Sequence, residues 1–86
     1  MCETCGWIIA FRLDSRIENA IKVQEVLTKY GCNIQARLGL HEASKDYCAN
    51  YGLIILQCCG TEELMNAFLA DLNAVDGISA KMMSLD

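Results

Sequence analysis

Six cysteines, one histidine and an Arg-x-Gly step are the residues of this chain with the widest chemical reach. Cys2-x-x-Cys5 has the spacing at which two thiolates chelate one metal ion or form a redox pair. The pair precedes the first apolar run, however, and the turn Asp14-Ser15-Arg16 that follows that run holds no cysteine. A frayed N-terminus over residues 1–6 is therefore expected. His41 and Cys48 flank a polar segment, and imidazole with thiolate suits a borderline metal such as Zn or Ni. Two ligands are too few, so a metal site would need Cys2 and Cys5 as well, or a partner chain. Cys58 and Cys59 are neighbours in an apolar run. In a strand they point to opposite faces and cannot both hold one metal. With Cys32 they are expected to be packed thiols, since free cysteine is among the most buried residue types.

Arg37 precedes Gly39 by two positions in an alternating segment. A guanidinium there could clamp a carboxylate or pair across an interface, and the missing side chain of Gly39 leaves room for a ligand or another backbone. The alternative, an ordinary solvated arginine, stays open. Catalysis has little support. One His and the lack of G-x-S-x-G, H-E-x-x-H or P-loop patterns remove the commoner constellations, so no catalytic residue and no cofactor is expected.

These residues must be positioned by a small scaffold. Trp7 to Leu13 is β-branched and aromatic, with Trp7, Ile9, Phe11 and Leu13 on one face and Ile8 and Ala10 on the other, as in a central strand. Ser15-Arg16-Ile17-Glu18 has the capping-box form, and Ile17, Ala20, Ile21, Val23, Leu27 and Tyr30 follow at helical spacing. The helix is expected over about Arg16–Tyr30, closed by a left-handed Gly31. Asn33 to Leu40 alternates, setting Ile34, Ala36, Leu38 and Leu40 against Asn33, Gln35, Arg37 and Gly39, a half-buried strand at an edge. His41 to Asn50 reads as a loop, and Tyr51 to Cys59 as a second central strand. Thr61 caps a second helix with the stripe Leu64, Phe68, Leu72 and Val75, closed by Gly77; Ile78 to Leu85 is the last strand.

The order β-α-β-β-α-β with right-handed crossovers predicts an α+β, ferredoxin-like sandwich. Its four-stranded antiparallel sheet has order 4-1-3-2 and carries both helices on one face. The helix-free face of strands one and three would then be apolar through Ile8, Ala10 and one set from Leu53–Leu56. Patches of this kind mark interfaces, so a homo-oligomer, dimer or tetramer, is expected.

Composition narrows the partners. The 86 residues suffice for one domain, 1–86, and 53% hydrophobic content excludes a disordered linker. Seven basic against 11 acidic residues give −4, the wrong sign for tracking phosphates, and aromatics are sparse, so no direct nucleic acid binding is expected. No run approaches the roughly 20 apolar residues of a membrane span, and the N-terminus lacks the basic start of a targeting signal. A cytoplasmic location with reduced thiols, rather than a disulfide scaffold, is the expectation.

The segments Leu27-Thr28-Lys29-Tyr30, Asn33 to Gly39 and Gly52-Leu53-Ile54-Ile55-Leu56 resemble the small proteins known as iron-only hydrogenase system regulators, as does the tail Asn66 to Ala80 with its Asp76-Gly77-Ile78 close. That family is ACT-like, similar in fold to the C-terminal domain of the nickel-responsive repressor. The resemblance implies a single ACT-like domain acting as an oligomeric regulatory module in anaerobes, with a small-molecule effector such as an amino acid or a metal. The one His and the missing ribbon-helix-helix segment set it apart from the nickel repressor itself. In ACT-like proteins the turn before the first helix borders the effector pocket, which here implicates Asp14 and Ser15. A helix N-terminus can receive a carboxylate and Asp14 an ammonium group; the competing role for Ser15 is the helix cap alone. The leading expectation is thus a regulatory, non-enzymatic module with Asp14, Ser15, Arg37 and Gly39 at its ligand site. The second is a thiol-based metal-binding or redox-sensing protein using Cys2, Cys5, His41 and Cys48.

Overall fold

A computed structural model describes residues 4–13, 17–43 and 48–85. Strand β1 (Thr4–Leu13) leads to helix α1 (Ile17–Lys29) and a single 3-10 turn (Gly31–Asn33), followed by β2 (Ile34–Ala43), β3 (Cys48–Gly60), α2 (Glu62–Asn73) and β4 (Lys81–Ser84). The strands form one antiparallel sheet in the order β2-β3-β1-β4, the ferredoxin-like arrangement. β1 and β3, the two runs apolar on both faces, are the central strands.

Alternation along these central strands divides the sheet into two faces. Ile9 stands opposite Leu56 and Phe11 opposite Ile54. With Cys58 they form the sheet side of the core. Val23 and Leu27 of α1, Tyr30 just after it, and Met65, Phe68 and Leu72 of α2 close over them. Tyr30 stacks on Phe68 with ring centroids 4.4 Å apart. Both helices therefore cover one face. α2 begins as its sequence requires, the Thr61 hydroxyl accepting from the Leu64 amide at 3.2 Å with Glu62 and Glu63 in the first turn. The last strand is shorter than the expected Ile78–Leu85: β4 covers only Lys81–Ser84, Ile78 and Ala80 are buried in the irregular segment before it, and α2 ends at Asn73, ahead of Gly77.

Several local expectations are corrected. The α1 stripe holds at Val23, Leu27 and Tyr30, which are buried, but Ile21 is 57% exposed and Asn19 is buried with the stripe instead. Gly31 is not left-handed: among the described residues only Gly77 has positive φ, 81°. The chain instead tightens into the 3-10 turn, where a left-handed residue is not required. The expected loop His41–Asn50 is shorter, because β2 runs to Ala43 and β3 starts at Cys48.

The largest correction concerns β2. Ile34 stands opposite Cys58, but Ala36 stands opposite Gln57, so Gln35 is an inserted residue. A bulge of this kind leaves the sequence alternation unbroken while turning everything beyond it to the other face. Ile34 keeps its place at the core, whereas Ala36 and Leu38 lie on the helix-free face, Leu38 53% exposed. Arg37 and Gly39, opposite Leu56 and Ile54, come to the helix side.

Candidate functional site

The helix side of the edge strand carries the polar candidate. The Arg37 guanidinium donates to the Gln24 side-chain oxygen of α1 at 3.3 Å, and Gln24 donates in turn to the Thr28 hydroxyl at 3.5 Å. Ile21, Gln24, Glu25 and Thr28, successive positions on one stripe of α1, line a hollow of about 380 Å³. A Cβ added at Gly39 would meet nothing within 4 Å, so the strand is open at that point. The arrangement sets the Arg37 cation beside an amide, a hydroxyl, the Glu25 carboxylate and apolar surface. That set can hold a small molecule bearing a carboxylate.

Of the sequence candidates, Arg37 and Gly39 are brought together on one face. Asp14, Ser15 and Cys2 lie outside the described residues. His41 pairs in register with Gly52, and Cys48 with Ala43, so the two sit on adjacent strands at one end of the sheet. Among the described residues no cluster of three His, Cys, Asp or Glu side chains could hold a metal ion.

Cys5 differs most from expectation. It is neither frayed nor a free ligand but is joined to Cys59 in a disulfide. The pairing follows from a second bulge. Thr4 stands opposite Gly60 and Trp7 opposite Cys58, which leaves Cys5 and Gly6 facing Cys59. The expectation of six unpaired cysteines is thereby overturned. Cys58 is the packed thiol that was expected, fully buried and pushed by burial to a pKa of about 11. Cys32 is exposed instead.

The helix-free face is the larger feature. Across the strands, Met83 stands beside Ile8, and Lys81 beside Ala10. Ala10 is next to Ile55, and Ile55 to Leu38. Leu53 borders this row one pair further along β3. Leu38, Leu53 and Met83 are 53%, 36% and 54% exposed. Leu85, the next position of this parity after Met83, is exposed as well, and its amide donates to the Gly6 carbonyl at 2.8 Å. Four of the five exposed large apolar side chains among the described residues thus belong to one surface; the fifth, Ile21, lines the α1 hollow. Lys81, Arg12 and Gln57 lie on the same face, so its apolar side chains are interleaved with polar ones.

A cluster that sequence reasoning missed ties the helices together. Asp71 accepts from the Tyr30 hydroxyl at 2.7 Å and from Lys29 Nζ at 3.0 Å. The two hydrogen bonds hold the Asp71 carboxyl below its ordinary pKa; Asp71 likewise raises the pKa values of Tyr30 and Lys29.

No family model matches this chain, and no curated protein matches it. Among solved structures, it is similar to an uncharacterized protein, TM1266, from Thermotoga maritima, with a TM-score of 0.81 and 20% identity over 93% of this chain and 95% of that one. A formyltetrahydrofolate deformylase from Pseudomonas putida aligns at a TM-score of 0.49 and 13% identity, over 91% of this chain but 28% of its own. A divalent ion tolerance protein CutA1 from Ehrlichia chaffeensis aligns at 0.44 and 11% identity, over 94% of this chain and 82% of that one. At these identities it is the likeness to the Thermotoga protein that carries weight, and it establishes a shared ferredoxin-like fold.

Proposed function

We propose that the chain is a regulatory, non-enzymatic, ACT-like module of the cytoplasm that self-associates through its helix-free sheet face. A small effector binds at the edge where Arg37, Gln24 and Gly39 meet. The observation that carries this reading is the apolar face itself. Leu38, Leu53, Ile55, Ile8 and Met83 gain by leaving water, each fully buried side chain contributing on the order of 1.5–3 kcal/mol. A second copy is the occupant proposed, because a two-fold contact would cover the same apolar side chains of both molecules at once. The resemblance of Leu27–Tyr30, Asn33–Gly39 and Gly52–Leu56 to the iron-only hydrogenase system regulators supports a regulatory role in an anaerobe. The Arg37–Gln24 arrangement supports an effector with a carboxylate, such as an amino acid.

The test is a charge placed on the face. Leu53→Asp is expected to convert the assembled protein to a monomer while circular dichroism keeps its α+β form, since Leu53 does not contribute to the core. Assembly unchanged in this variant and in Leu38→Asp would contradict the reading.

A further inference from the structure

The Cys5–Cys59 disulfide lies at one end of the sheet among four separate hydrogen bonds. The Gln57 side chain donates to the Cys5 carbonyl at 3.0 Å, and the Trp7 indole N–H donates to the Gly60 carbonyl at 3.0 Å. Asn33 of the 3-10 turn donates to the Cys59 carbonyl at 2.9 Å, and Leu85 to the Gly6 carbonyl. Cys59 is 6% exposed whereas Cys5 is an exposed residue, so a small thiol would approach from the Cys5 side. The core of Ile9, Phe11, Ile54 and Leu56 begins beyond Trp7 and is held by strand pairing that does not involve the disulfide.

We propose that Cys5–Cys59 is a reversible thiol–disulfide site that takes low-molecular-weight dithiols as its reductant and controls whether Thr4–Gly6 is held on the sheet. A dithiol thiolate attacks Sγ of Cys5, forming a mixed disulfide and releasing Cys59 as a thiolate, which takes up a proton. The second thiol of the reductant then attacks its own sulfur in the mixed disulfide and releases Cys5 as a thiol. The protein disulfide has gained two electrons and two protons, and the dithiol has lost both as its cyclic disulfide. In the reduced form the bulged segment keeps only its hydrogen bonds, so the end of β1 opens locally while the rest of the sheet stays paired. In a reducing compartment such bonds are transient and serve sensing rather than bracing.

The experiment equilibrates the full chain, without denaturant, in mixtures of reduced and oxidised dithiothreitol, then traps thiols with N-ethylmaleimide for intact mass and peptide mapping. Cys5 and Cys59 should gain two labels together, and reoxidation should remove both, with circular dichroism unchanged. The fluorescence of Trp7, the chain's one tryptophan, should track the same transition. That response should vanish in Cys5→Ser, which alters an exposed position, and in Cys59→Ser. A pair that opens only in denaturant is a static brace and overturns the proposal. So does a chain whose Cys5 and Cys59 stay reduced throughout, or one in which Cys5 pairs with Cys2.

Discussion

Arg37 shows how much one residue's meaning depends on which face it occupies. Its guanidinium meets Gln24 on an exposed surface, a contact whose loss costs little stability, within about 0.5 kcal/mol. Arg37→Ala should therefore leave the thermal midpoint nearly unchanged while weakening amino acid binding by tenfold or more in calorimetry. Equal affinity in both forms would return Arg37 to the role of a solvated side chain. Asp71 is different, because its effect is on pH dependence. Its carboxyl is held below the ordinary value by Tyr30 and Lys29. The stabilisation is thus complete above the ordinary carboxylate pKa of about 4 and is lost as pH falls through the folded-state value. Tyr30 and Lys29, both raised, contribute below their ordinary values near 10 and lose that contribution as pH rises further. Stability should be level across neutral pH with an acid shoulder, and Asp71→Asn should flatten that shoulder in denaturant melts between pH 2 and 7.

At the scale of elements, the Thr61 cap is a direct translation of sequence into geometry. Thr61→Ala should cost about 1 kcal/mol in urea unfolding, with the slope unchanged. The two helices, the four strands and their order were legible for the same reason, since capping residues and apolar periodicity are local signals. The two bulges were not. Ile34, Ala36, Leu38 and Leu40 alternate in sequence whether or not Gln35 is inserted in the pairing, so the turn of Leu38 to the open face and of Arg37 to the helix side depends on partner strands. The Cys5–Cys59 bond depends on register in the same way, across 54 positions. At the other end of the sheet, the polar composition from His41 to Asn50 reads as a loop because it carries no apolar alternation, the local signal by which a strand is recognised. The Asp71 cluster was hidden because Tyr30 served equally well as a member of an apolar stripe.

For the whole molecule, the open sheet face is the feature that relates structure to role. Ile8 and Ala10 were readable as its members from β1 alone, and the bulge in β2 adds Ala36 and Leu38, making it broader than the alternation predicted. With 86 residues the monomer has a thin core, and covering this face would add apolar burial that one chain does not achieve. Sedimentation velocity of the wild-type protein from 1 to 100 µM tests this most directly. A dimer or larger species at micromolar concentration, dissociating on dilution or in Leu53→Asp, is the expected result. A single monomeric species across the whole range would contradict the account.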